Sequence, residues 1–470
     1  MSGARLQPGA AAGHPATAAA AAEVLDGGGS AADAAVAAVL ASCVAETVMT
    51  GLLGGGHAIY FDAASGTARN LDCFCAVPGL GARPREPELR HLEVPFGAEL
   101  VSYAVGPASC AVPGVAAGLD ALWRAHGRLP WPRLVEPALR LARDGVPMPA
   151  AHVACLTMLA PVLTLDAGAR IYAPGGTLLE PGDRLEQTGL VAALESLAAE
   201  GAAGAYRGTI GSALLALSGE RGGLLTGADL DSYEAVWSEP VECAWLGSRV
   251  LTRGGLSGVP QALEALPRLA GLSPAARVSV LAAALETGRA PETHTTNLVA
   301  VDADGSACVV TTSLGLGSGD YLPGLDLHLN SMLGEADLLV EGPVPAGSRM
   351  QSMMAPTIVL DGDGPLLAIG SAGGTRLRTA LVTVAAGMLD EGLAPQEAVD
   401  RPRLHPAPTI VNAEPGVDED GLAELEAGGR AVRRWPERHH YFGGVSLAGR
   451  TGLAADPRRD GGTRPLRRPR

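Results

Sequence analysis

The chain has 470 residues, 50 of them acidic and 35 basic, for a formal charge of −15; aromatic residues make up 3%. That length holds two to four ordinary domains or one large two-lobed α/β unit with a sizeable core. The acidic balance argues against nucleic acid or an anionic membrane as partner, and so few aromatics argue against base stacking.

From the N-terminus, residues 1–13 are rich in Gly and Ala and read as loose. Helices are predicted over 15–26 and 31–45, with Ser30 as N-cap of the second. Asp33 and Glu46 interrupt and close the second apolar run, which excludes a membrane span. Strands with a turn near Ser65-Gly66 read as a hairpin, and residues 84–98 read as a loop. Further helices are predicted at 114–126, 131–144 and 187–201, with a capped helix start from Leu224 to Tyr233. A transition zone, 238–294, holds strands around 240–252, helices near 259–268 and 274–288, and a polar loop from Gly288 to His294. Strands follow at 297–313 and 356–370, then a helix at 375–391. The tail from Arg458 to Arg470 reads as disordered. Alternating strands beside long apolar helices give a large α/β protein with helix-covered sheets.

The seven cysteines (Cys43, Cys73, Cys75, Cys110, Cys155, Cys243 and Cys308) are odd in number and lack a CxxC pair, so they read as buried free thiols. Five histidines, His57, His294, His405, His439 and His440, show no metal-ligand spacing beyond the His439-His440 pair and read as structural or surface groups. No metal and no cofactor is expected. No lysine is present, and no secretory leader is evident, which points to the cytoplasm.

The stretch from Thr295 to Gly305 starts with two threonines, runs on as an alternating strand and ends at an Asp-Gly turn. A threonine hydroxyl needs a base, and cutting the chain before it frees an α-amine for that role. Candidates for holding that amine are Thr311, Thr312 and Ser313 on the next strand. Gly370 to Arg376 is a glycine-rich strand-to-helix turn able to offer backbone N–H groups to an oxyanion. It lacks the Lys-Ser/Thr of a phosphate loop.

The Thr295 stretch resembles the start of the small subunit of gamma-glutamyltransferases, autocleaving N-terminal nucleophile hydrolases. Further stretches are similar to that family's signatures: Gly28 to Ala35, Thr50 to Gly56, Ala111 to Gly118 and Leu141 to Gly145. The resemblance implies a four-layer αββα sandwich. It implies cleavage between His294 and Thr295 into a large subunit, 1–294, and a small subunit, 295–470, which remain together as a heterodimer, with a higher oligomer left open. It makes Thr295 the nucleophile, Ser313 the second hydroxyl, and Gly373 and Gly374 the oxyanion hole. Thr296 and Thr293 remain alternative first residues after the cut.

The same resemblance exposes departures. Phe74 stands where the family's carboxylate-binding arginine belongs, and Gly254 to Gly258 replaces a longer motif. Glu335, in the segment from Asn330, matches the acidic residue for the substrate amine. Ser352 is retained from a serine pair whose second member is Met353. Candidates to replace the arginine are Arg349, Arg376 and Arg378. The expectation is therefore an autoprocessing hydrolase or acyltransferase for a small-molecule amide, γ-glutamyl or related, in specialised metabolism. The alternative is a catalytically silent homologue that binds a ligand or partner.

Overall fold

The computed structural model describes residues 5–83, 88–96, 99–286, 295–335, 338 and 344–467. Two antiparallel sheets lie face to face at its centre. The first comprises β1 (Gly9–Ala12), β2 (Gly55–Asp62), β3 (Thr67–Cys73), β4 (Val236–Ser238), β7 (Thr296–Val301), β8 (Ala307–Ser313) and β13 (Gly462–Pro465), in the order β13-β1-β7-β8-β2-β3-β4. The second comprises β5 (Val241–Trp245), β6 (Ser248–Thr252), β9 (Thr357–Asp361), β10 (Gly364–Ala372), β11 (Gly444–Gly449) and β12 (Leu453–Ala455), in the order β12-β11-β10-β9-β6-β5. Ile59, Val299, Val309, Ile358 and Ala368 interdigitate between them.

Helices cover both outer faces. On the first sheet lie α1 (Pro15–Asp26), α2 (Ala31–Ala45), α3 (Val115–His126) and α4 (Trp131–Asp144), packed through Ala, Val and Leu. Every residue of α2 is buried, which its small side chains permit. Ser30 is the N-cap, as the sequence predicts, and Asp33 completes a reciprocal capping box with it. On the second sheet lies α5 (Arg376–Leu389), with shorter helices at Val259–Ala265, Pro274–Ala284 and Glu419–Ala427. The result is the αββα sandwich expected from the resemblance.

Three expectations fail. Residues 84–98 hold the first half of a hairpin, Arg90–Phe96 with Glu99–Val105, not a plain loop. Its alternating Leu92, Val94 and Val101 pack against the helix Ala150–Leu163, which the prediction also missed. The N-terminal stretch is not loose throughout, because β1 lies between β7 and β13. The C-terminal tail is not disordered over its described part: Arg458 and Arg459 are buried, and β13 extends the sheet beyond β1. The described cysteines are free and all but Cys243 are buried. No described helix is long and apolar enough to cross a membrane.

Candidate active site

Thr296 opens β7 opposite Thr312 of β8, so Thr295 stands at the open end of the central hairpin, buried at 2% exposure. Ser313 ends β8, and its Oγ accepts from Gly315 N at 2.8 Å. Thr312 is held from the neighbouring glycine loop, Oγ1 to Oγ1 of Thr50 at 2.8 Å. This rigid strand end is where a nucleophile needs to be placed.

Above it, β10 runs into α5 through Gly373 and Gly374, at φ +121° and +58°. Glycine is required at Gly373, since a methyl there would lie 2.9 Å from Gly443 Cα. Neither glycine N–H finds a hydrogen-bond acceptor among the described residues, and Gly374 lines the pocket that Thr295 lines.

One narrow pocket joins Thr295, Ser313, Gly374, Glu335, Ser352 and Phe74, six of the nine site residues singled out from the sequence. Gly373 is the neighbour of Gly374 in the turn. Asn330 does not line it. Its amide is saturated: Oδ1 accepts from Ala111 N and Met332 N at 3.0 and 3.2 Å, and Nδ2 donates to Leu53 O and Ala111 O at 2.8 and 2.9 Å. It is a strut between loops, fixing the segment that carries Met332 and Glu335. His294 lies outside the described residues, as do Thr293 and the rest of the polar loop.

The rest of the lining is Met332, Leu338, Met353, Met354 and Leu377. Sequence reading missed most of these, because a methionine in an apolar run carries no signature of its own. Phe74 is 1% exposed and stacks on His57, with ring centroids 5.5 Å apart. Burial, with Arg253 and Arg349 nearby, pushes the His57 imidazole well below its ordinary value, so it is neutral.

None of the three arginines offered as substitutes lines this pocket. Arg349 lies behind Phe74, donating to Phe74 O at 2.6 Å, approaching Asp72 at 3.5 Å and covering the Tyr233 ring at 4.4 Å. Arg376 donates to Tyr441 O at 2.9 Å. Arg378 donates to the carbonyls of Leu285 and Glu286 at 3.3 and 3.1 Å. Among the described residues the lining therefore has one carboxylate, Glu335, and no guanidinium. Nor do the described residues contain a cluster able to hold a metal.

A second cavity touches Thr295 from the β1 side. It is lined by Glu46, His152, Thr296, Asn297 and Arg459, among others. Apart from Thr296, an alternative first residue after the cut, sequence reading assigned none of these a catalytic role. The available signal was a lone Glu closing an otherwise apolar helix, and charges beside glycines in Asp456 to Gly462.

A strand-borne threonine beside a glycine-rich strand-to-helix turn, within an αββα sandwich, is the arrangement of an N-terminal nucleophile hydrolase. The gamma-glutamyltranspeptidase family pattern matches residues 17–287 and 273–466, and the chain belongs to that family. It is 27% identical to the acylase ACY 1 proenzyme of a Pseudomonas strain, over 90% of this chain and 87% of that one. It is 26% identical to glutathione hydrolase proenzyme 1 of Schizosaccharomyces pombe, over 87% of this chain and 76% of that one. Cephalosporin acylase from Bacillus halodurans shares the fold, with a TM-score of 0.80 at 22% identity, covering 98% and 96% of the two chains. The chain is thus an enzyme, a hydrolase or acyltransferase, and the silent-homologue alternative has no support.

Proposed function

We propose that the chain cuts itself between His294 and Thr295, and that Thr295 then hydrolyses or transfers the acyl group of an amide whose acyl part is largely apolar. The freed α-amine takes the Oγ1 proton as Oγ1 attacks the carbonyl. The N–H groups of Gly373 and Gly374 receive the oxyanion, the departing amine takes the proton, and water or a second amine resolves the ester.

The observation that carries the substrate reading is the lining around Thr295: Phe74, Met332, Leu338, Met353, Met354 and Leu377, with Glu335 as the one charge among the described residues. A γ-glutamyl α-carboxylate placed there would meet an aromatic ring and a second carboxylate, with no described cation lining the pocket. An apolar acyl chain, with an amine or neutral polar tip to face Glu335, suits it better. The acylase and glutathione hydrolase names of the relatives bracket the same two possibilities.

The fragments 1–294 and 295–470 would hold together without new contacts. In the first sheet β7 pairs with β1, and β8 pairs with β2, so strands from both sides of the cut interleave. A heterodimer that separates only on denaturation follows.

The test is kcat/KM for a γ-glutamyl anilide against an anilide of a medium-length aliphatic acid. The aliphatic substrate should be preferred by about 100-fold, the equivalent of roughly 3 kcal/mol for an unpaired buried charge. Equal or better turnover of the γ-glutamyl anilide would refute the apolar-acyl reading.

A further inference from the structure

Self-cleavage poses a problem that the mature site does not. Before the cut, the nitrogen of Thr295 is an amide, so the α-amine that later acts as base does not exist. Another group has to accept the Oγ1 proton.

Glu46 is placed to be that group. It caps the C-terminus of α2, where the helix dipole disfavours a negative charge, and it is 1% exposed. Its carboxylate accepts from Thr17 Oγ1 at 2.6 Å and from Thr296 Oγ1, the hydroxyl next to the nucleophile. Glu46 and Thr295 line the same cavity, which has room for about one water molecule. We propose that Glu46, through one water in this cavity, is the base for self-cleavage. This rests on the reading that the chain cuts itself at Thr295.

The step balances. Thr295 Oγ1 attacks the carbonyl carbon of His294, and its proton passes through the water to Glu46. The C–N bond breaks, the proton goes to the departing nitrogen of Thr295, and an ester links the two fragments. Water then hydrolyses the ester, releasing the carboxylate of His294 and the free Thr295 hydroxyl.

The charge state suits the role. Burial raises the Glu46 carboxyl to about 7, opposed by its bonds from Thr17 and Thr296 and by Arg459. A group titrating there is an efficient base near neutrality. The other titratable groups around it are Cys43, Asp456, His14 and His152. The Cys43 thiol is pushed up to about 12, and burial holds both histidines low and neutral, so none competes for the proton. Arg403 and Arg458 already pair with Asp456.

The experiment is cell-free synthesis with a pulse label and a pH jump, reading the half-time of cleavage. Wild-type cleavage should accelerate as pH rises through about 7 and then level off, since the ionised carboxylate is the base. Glu46→Gln should slow it by about 100-fold or more and flatten the profile. Arg459→Met, which removes the cation favouring ionisation, should move the rise to higher pH. That shift is a readout a purely structural role would not give, and it decides the question if Glu46→Gln fails to fold. Cleavage of Glu46→Gln within threefold of wild type, or an unmoved rise in Arg459→Met, overturns the inference while leaving Thr295 as nucleophile. A wild-type chain that never cleaves overturns the reading beneath it.

Discussion

Thr295→Ala is expected to abolish turnover, by a factor on the order of 10⁴ or more, with any acyl anilide that the wild type accepts. The described hydroxyls around it are held by other groups, Ser352 by accepting from Met354 N at 3.2 Å. Ser313 is engaged by Gly315 N, Thr312 pairs with Thr50, and Thr296 donates to Glu46. Thr295→Ser keeps the oxygen and should retain part of the activity. Because Thr295 packs at a strand end, both variants should melt close to wild type. Residual activity above about 1% in a melting-competent Thr295→Ala preparation would move the nucleophile elsewhere, with Thr296 the first residue to examine.

The second large effect is on stability. Asp456 is 2% exposed and joins two buried arginines, Arg403 at 2.6 Å and Arg458 at 3.2 Å, while accepting from Val445 N on β11 at 3.1 Å. Glu414 accepts from Arg458 Nε at 2.6 Å, and the carbonyls of Val399 and Arg401 accept from its remaining nitrogens at 2.9 and 3.0 Å. This network pins the segment carrying Arg459 against Gly373 and Gly444. Asp456→Asn would leave the buried Arg403 guanidinium without its carboxylate while Arg458 keeps Glu414, a loss of about 3–5 kcal/mol, read as a melting midpoint several degrees lower. Burial pulls the Asp456 carboxyl upward, but Arg403 and Arg458 outweigh it and hold the carboxyl below its ordinary value. A depressed folded pKa means the stabilisation is complete above the unfolded value near 3.9 and is lost as pH falls through the folded one. The deficit of the variant should therefore be constant from about pH 5 to 8. An unchanged midpoint, or a deficit that vanishes at neutral pH, would contradict this account.

Much of the fold was legible because its signals are local. The apolar run and Ser30 cap of α2, the Ser65-Gly66 turn between β2 and β3, and the strand pattern after Thr295 each follow from spacing and capping. The errors fall where tertiary partners decide. Gly9–Ala12 carries no strand propensity and forms one only because β7 and β13 flank it. Arg458 reads as part of a solvated charge run because Glu414, which pairs with it, lies 44 positions away in the chain. The same division holds at the site. Thr295, Ser313 and the glycine turn announce themselves by chemistry and order. Asn330 looked like a ligand group and is a saturated strut, since hydrogen-bond saturation appears only in three dimensions. Glu46 was visible only as a helix stop. Its approach to Thr296 joins residues 250 positions apart, which one sequence cannot reveal.

The most direct test of the central claim is the intact mass of freshly purified wild-type protein, with N-terminal sequencing of any fragment. The account predicts two chains that co-purify and separate only on denaturation, the smaller beginning Thr295-Thr296-Asn297-Leu298. A single chain of 47.5 kDa, or a small fragment beginning at any other residue, would contradict it.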